Sequence, residues 1–386
     1  MAIPLRAITV KSHKQEYTMN LTELGWNESL DRHFEQFRNQ GLVPGRVARQ
    51  HRRRYLVYGE YGELEAEVSG RFRHAAGSRA EFPTVGDWAV VDGRPGEGKA
   101  TICALLPRNS SFSRKAVLSG GMPDSGGETD EQVLAANVDT VFLVSGLDHD
   151  FNLRRIERYL IIAWDSGAVP VILLNKVDLC EDVGARIHEV ESVASGVAIH
   201  PISATRNQGL DALQEYLVSG KTVALLGSSG VGKSTLINSL LGEERLKVGP
   251  VRAGDSRGRH ITAYRQMILL PTGGIVIDTP GMRTLSIWGD EGGLKRTFED
   301  IEELALLCRF RDCRHEGEPG CAVGQARKDG TLDEGRYRNY LKLQKELRHL
   351  AQRKDKKAQR QADRVMSKKI RQHMAWLKKT NRKGLA

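Results

Sequence analysis

The sequence predicts a multidomain chain: an N-terminal all-β barrel, a central doubly wound α/β domain, and a C-terminal helical domain ending in a basic tail. Three observations carry this. Five short strand-like runs separated by turn residues crowd into residues 41–108. From residue 131 the texture changes to buried apolar runs alternating with amphipathic helical stretches. Beyond residue 296 cysteines, then lysines and arginines, concentrate. At 386 residues the chain is long for one domain. The expected division is 1–40 N-terminal extension, 41–110 barrel, 111–130 linker, 131–295 α/β domain, 296–350 Cys/His domain and 351–386 tail.

Residues 1–40 are polar, with a short helix expected around 28–40 and no chemistry evident. The runs "LVPGRVARQ", "RRYLVYGE", "GELEAEVSG", "GDWAVVDG" and "KATICALL" then supply five strands in under 70 residues. The OB-fold is the commonest barrel of that size. Residues 107–130 are Gly/Ser-rich and read as an exposed, mobile linker. The α/β strands are expected at 140–145, 170–175, 197–203, 222–227, 266–270 and 274–278. Such a sheet places its ligand site at the carboxyl ends of the strands.

Bulk properties narrow the setting. No apolar run approaches the roughly 20 residues of a membrane span. The N-terminus has no apolar core or small-residue cleavage site of a signal peptide, so a cytoplasmic protein is expected. Five cysteines, three of them within 14 residues, suit a metal site in a reduced compartment better than a disulfide framework. The net charge of +10 is unevenly placed: residues 341–386 hold sixteen Lys/Arg against Glu346, Asp355 and Asp363, leaving the rest of the chain slightly acidic. That tail points to a polyanion partner.

Gly227-Ser228-Ser229-Gly230-Val231-Gly232-Lys233-Ser234, followed by Thr235, is a complete P-loop between a strand and a helix. Its glycines let backbone N–H groups turn inward around phosphates at the positive end of the following helix. Lys233 is placed to reach the β- and γ-phosphates and Ser234 to bind Mg²⁺. "IVIDTPGM" adds Asp278 at a strand end, as a Mg²⁺-organising carboxylate, and Gly281, whose N–H can meet a γ-phosphate. Asp-x-x-Gly alone is usually a turn; downstream of a P-loop and a strand it is specific.

Asn175-Lys176-Val177-Asp178 ends the apolar run "VILLN". A carboxylate at 178 can accept from guanine N1–H and the exocyclic amine, which adenine does not present. Ser203-Ala204, after the next strand, could meet guanine through backbone N–H or be an ordinary strand end. The order is unusual, because the guanine-reading segment precedes the P-loop.

That order (Asn-Lys-x-Asp, Ser-Ala, P-loop, Asp-x-x-Gly) resembles the circularly permuted GTPases. With a small barrel in front and a Cys/His cluster behind, the chain resembles the ribosome small-subunit-dependent GTPase family, RsgA or YjeQ, over roughly residues 40–325. The resemblance implies a GTPase that acts in late maturation of the small ribosomal subunit, binds the subunit and its rRNA, is stimulated by it, and needs GTP and Mg²⁺. Its first switch corresponds to Gly258-Arg259-His260-Ile261-Thr262-Ala263, with one threonine where the family pattern has three. Thr262 is the candidate for the γ-phosphate and Mg²⁺. Met282 stands where many regulatory GTPases have a water-orienting glutamine, and methionine cannot orient water by hydrogen bonding. The resemblance makes His260 the candidate catalytic group; it could instead contact RNA or solvent.

Cys308-x4-Cys313-x-His315-x5-Cys321 offers three thiolates and one imidazole, the donor set of a closed structural zinc site. Arg309, Arg311 and Arg314 beside it, and Arg46, Arg49 and Arg52–Arg54 on the barrel, are candidate RNA contacts. The tail has only Trp376 as an aromatic, which favours backbone electrostatics over base stacking. A monomer without membrane attachment is expected. Readings from other classes are a metabolic P-loop kinase, against which Asn175 and Asp178 argue, and a GTP-gated RNA-binding module of low hydrolytic activity. A large-subunit assembly GTPase shares the motif order but not the barrel and zinc combination.

Overall fold

The computed structural model describes residues 19–51, 53–117, 129–246, 265–278, 287 and 291–353. Arg52, Gly258 to Ala263 with His260 and Thr262, Gly281, Met282 and the tail from 354 lie outside the described residues.

Helix α1 (Glu28–Arg38) is started by Asn27, whose side chain accepts from Leu30 N. It buries Leu30 and Phe34 against the barrel, beside Trp26 and Trp88, whose rings meet edge-on at 4.9 Å. The barrel comprises β1 (Val43–His51), β2 (Arg54–Gly59), β3 (Gly62–Val68), the short α2 (Gly70–Ala75), β4 (Trp88–Arg94) and β5 (Lys99–Leu105). The strands pair in the order β1-β2-β3-β5-β4, and β4 returns to β1, closing the five-stranded barrel expected from the sequence. Alternate residues point inward: Leu64, Ala66 and Val68 of β3 are buried, while the glutamates between them are exposed.

β6 (Ser111–Val117) and β7 (Thr129–Ala136) form an antiparallel ribbon. This differs from the linker expected over 111–130. The glycines and serines that suggest a linker lie between the two strands, whereas Phe112, Val133, Leu134 and Ala135 are buried and pin the ribbon to the core.

The α/β domain runs β8 (Thr140–Gly146), α3 (Leu153–Ser166), β9 (Val169–Asn175), α4 (Val183–Glu191), β10 (Ala198–Ile202), β11 (Thr222–Gly227), α5 (Lys233–Leu241), β12 (Arg265–Leu269) and β13 (Ile275–Asp278). Its strand order is β10-β9-β8-β11-β13-β12, parallel through β13 and antiparallel at β12. Val141 and Leu143 of β8 pack on one face, Phe142 and Val144 on the other, so both faces are covered and the strand reads as continuously apolar. At the other edge β12 pairs with β1, aligning Arg49 with Gln266 and Gln50 with Arg265. Barrel and α/β domain thereby share one continuous sheet.

Helices α6 (Gly292–Thr297), α7 (Glu299–Leu306), α8 (Ala322–Lys328) and α9 (334–353) complete the chain. They dock on α3 through charge as well as apolar contact. Glu157, fully buried, accepts from Arg336 at 2.9 Å, Arg154 at 2.5 Å and Asn339 at 2.5 Å. Burial raises its carboxyl above the usual range, against the pull of these donors. Arg336 also holds Asp300 at 2.6 Å, and Arg158 holds Glu346 through two bonds of 2.9 and 2.6 Å.

Arg46 is not the surface RNA contact expected from the sequence. It is buried, and its guanidinium donates to the carbonyls of Leu24, Gly86 at 3.3 Å and Asn137 at 2.9 Å. One side chain thus ties the N-terminal segment, the barrel and the α/β domain, and burial lowers its pKa to about 10. Arg49, Arg53 and Arg54 are exposed. Replacing Arg46 by Met strands buried carbonyls, so Arg46→Met is expected to cost about 2–4 kcal/mol, read as a lowered urea midpoint.

Candidate functional site

The loops at the carboxyl ends of β8, β9, β10 and β11 converge on one edge of the parallel sheet, where β13 also ends, at Asp278. β11 ends at Gly227, and residues 227–232 lead directly into α5 at Lys233. Gly232 has φ +101°, a conformation that disfavours any side chain, and a Cβ there would collide with Asn175 Nδ2. The phosphate loop is therefore pressed against the Asn175–Asp178 segment with no space between.

Asn175 makes that junction. It is buried; its Nδ2 donates to Val231 O at 2.7 Å, its Oδ1 accepts from Ala204 N at 3.0 Å, and its carbonyl accepts from Leu147 N at 2.8 Å. Four loops meet on one residue. Asp178 stands at the rim. Ser203 Oγ donates to its Oδ1 at 2.6 Å, with Arg206 Nε 3.8 Å from the other oxygen. The Ser203 hydrogen bond, ahead of weaker attraction from Arg206 and Lys176, holds the Asp178 carboxyl below its usual range.

Ser203 and Ala204 lie against Asp178 and Asn175. Ser203 N donates to Gln208 O at 3.0 Å and Ala204 N to Asn175. Their amides are bonded inside the protein, so the pair aims Asp178 and fixes Asn175. Lys176 adopts φ +70° and its ammonium meets Asp148 Oδ2 at 2.6 Å. Burial would raise the Asp148 carboxyl, but Lys176 and the Asp150 amide hold it low.

Lys233 Nζ folds back on its own loop, donating to Gly227 O at 2.7 Å and Ser228 O at 2.5 Å. Ser234 and Thr235 follow in the first turn of α5, half-buried, and Asp278 ends β13, which pairs with β11. The site also includes Asp148 and Asp150, in the loop after β8, which motif reading passed over. Their signal is position alone, at the carboxyl end of a buried parallel strand.

The Cys/His cluster lies at the C-terminal side. Cys308 follows α7, Cys313 and His315 sit in the intervening loop, and Cys321 caps α8. Their ligand atoms lie within 4.8 Å of one another. His315 Nδ1 is 3.6 and 3.4 Å from the sulfurs of Cys308 and Cys321, which are 4.0 Å apart. A tetrahedral zinc with ordinary bond lengths needs separations of about 3.5 and 3.8 Å, so the donor set is compatible with zinc. Burial would raise the Cys308 thiol, but amides of Val323 and Ala322, at the start of α8, lower it.

A doubly wound sheet whose Asn-Lys-x-Asp segment precedes its P-loop, behind a closed barrel, is a circularly permuted GTPase. Residues 105–288 match the RsgA GTPase family and residues 222–363 a model described as 50S ribosome-binding GTPase. A protein of Opitutus terrae named small ribosomal subunit biogenesis GTPase RsgA is 47% identical, covering 92% of this chain and 96% of its own length. An RsgA 2 of the same description from Lactiplantibacillus plantarum is 46% identical over 86% of this chain and 90% of its own. The crystal structure of YjeQ from Thermotoga maritima superposes with a TM-score of 0.58 at 28% identity, covering 79% of this chain and 98% of that one. The chain belongs to the RsgA GTPase family and is a GTP-hydrolysing enzyme of ribosome biogenesis.

Asn175→Ala would leave Val231 O and Ala204 N without their partner in a buried setting. It is expected to destabilise the nucleotide-free protein by about 2–4 kcal/mol, seen as a lower unfolding midpoint.

Proposed function

We propose that this protein binds the small ribosomal subunit and its rRNA and hydrolyses GTP there, with turnover stimulated by the subunit, in a late maturation step. The observation that carries the reading is the hydrogen-bonded junction at Asn175, which builds a guanine site and a phosphate loop into one edge. The near full-length likeness to proteins named for small-subunit biogenesis supports the partner.

Under this reading Asp178, aimed by Ser203, accepts from guanine, and Asn175 and Lys176 shape that pocket. The backbone of Gly227 to Gly232 wraps the phosphates. Lys233 exchanges its carbonyl partners for the β- and γ-phosphates. Ser234, Thr262 and Asp278 hold Mg²⁺, which would supply charge stabilisation at the phosphates. Gly281 N–H meets the γ-phosphate, and His260 orients the attacking water.

Exposed Arg49, Arg53 and Arg54 on the barrel, and Arg309, Arg311 and Arg314 around the Cys/His cluster, offer phosphate contacts. The basic residues from 354 onward extend that charge. Among the described residues no helix is long and apolar enough to cross a membrane.

GTP hydrolysis is expected to rise at least about tenfold with purified small subunits and to change little with large ones. Stimulation by large subunits alone would replace this reading by large-subunit assembly, which the match to the 50S ribosome-binding model favours.

The cluster of Cys308, Cys313, His315 and Cys321 is assigned to one structural zinc ion. Metal analysis should give one zinc per chain. Its removal by a chelator should abolish subunit binding while GTP binding survives; loss of both together would show that the cluster is not a separate structural unit.

A further inference from the structure

The loop after β8, residues 147–152, touches the phosphate loop, yet no motif accounts for it. Asp150 Oδ2 accepts a short hydrogen bond from Ser228 Oγ, the second residue of the phosphate loop. Arg155 Nη1 grips both oxygens of Asp150 at 2.7 Å, and Arg155 Nη2 donates to its carbonyl at 3.1 Å. Ser228 is also the residue whose carbonyl receives Lys233 Nζ. One serine therefore links an acidic side chain on its hydroxyl to the phosphate-binding lysine on its carbonyl.

The arrangement is electrostatically costly unless it is balanced. A carboxylate beside a polyphosphate site repels the ligand, and about one third of the Asp150 side chain remains exposed. Arg155 supplies the balancing charge from the first turn of α3. That helix is itself fixed, because Arg154, Glu157 and Arg158 bind Asp333, Arg336, Asn339 and Glu346 of the C-terminal segment. The guanidinium thus stands on a braced helix while the hydroxyl it indirectly holds belongs to a loop.

We propose that Asp150 is a positioning residue for GTP hydrolysis: neutralised by Arg155, it clamps Ser228 and so sets the phosphate loop and Lys233 for the nucleotide. The proposal rests on the reading of residues 227–235 as the GTP site. It assigns opposite tasks to the two charges. Asp150 orders the loop, and Arg155 keeps that order from repelling the ligand.

The test is GTP affinity and steady-state kinetics of the full chain without ribosomal subunits, with unfolding midpoints recorded for every variant. Asp150→Ala and Ser228→Ala should each lower kcat/KM about tenfold, and the double variant should be no worse than the poorer single one, within twofold. Arg155→Ala should weaken GTP binding by a similar factor. Adding Asp150→Asn to Arg155→Ala should restore most of that affinity, because the amide can still accept from Ser228 and carries no charge.

A purely structural role would make the second change neutral or harmful, so rescue discriminates. Additive losses in the Asp150/Ser228 pair, or no rescue by Asp150→Asn, would overturn the proposal. Should Asp150→Ala fail to fold, the loss in Ser228→Ala and the rescue of Arg155→Ala by Asp150→Asn still decide the proposal. A wild-type chain that neither binds nor turns over GTP would instead refute the GTP site itself, a result distinct from failure of the clamp.

Discussion

Asn175 lies where β9 ends, and its amide side chain bonds to the phosphate loop on one side and to the Ser203-Ala204 loop on the other. Its backbone carbonyl takes the amide that opens the loop after β8. These bonds hold segments that are 28 to 56 residues apart in the chain. They make no reference to which segment comes first. A parallel sheet gathers its loops at one edge, and a buried amide with both ends paired fixes their spacing. The chain can therefore begin its α/β domain at β8, pass the Asn175–Asp178 loop early, and still close the same site.

The rearranged order has a mechanical consequence. β13 ends at Asp278, and α6 begins fourteen residues later, at Gly292, on the way to the Cys/His cluster. The elements that follow are not tethered by that connection alone. Glu157 on α3 is buried under Arg336 and Asn339, and a buried carboxylate whose partners leave is strongly unfavourable. The C-terminal segment is thus committed to α3, whose Arg155 holds Asp150 against the phosphate loop. On the opposite edge β12 joins the barrel by backbone pairing with β1. The nucleotide edge stands between two attached domains, each connected to a strand or helix that frames it.

Much of this was legible because chemistry constrains residue identity at the places that matter. Asn-Lys-x-Asp, the phosphate loop and the Cys/His spacing can be named since few other residues perform those tasks, and the strands beneath them read as apolar runs within a residue or two. What was not legible lacks a local signal. Arg46 resembles the exposed arginines around it, and only the three carbonyls converging from distant segments make it a core residue. The β1–β12 pairing is a contact between residues more than two hundred positions apart. The Gly/Ser content of 118–128 hid the two strands that flank it. Asp150 sits in no motif, and its partners come from the phosphate loop and from α3.

The central claim is that Asn175 and Asp178, though early in the chain, form one nucleotide site with the phosphate loop. Equilibrium competition among GTP, ITP and ATP, on the wild type and on Asp178→Ala, tests it most directly. Wild type should prefer GTP to ATP by at least about a hundredfold, with ITP, which lacks the exocyclic amine, in between. Asp178→Ala should erase most of that preference while phosphate-driven binding remains. Equal competition by ATP, or discrimination that survives Asp178→Ala, would contradict the account.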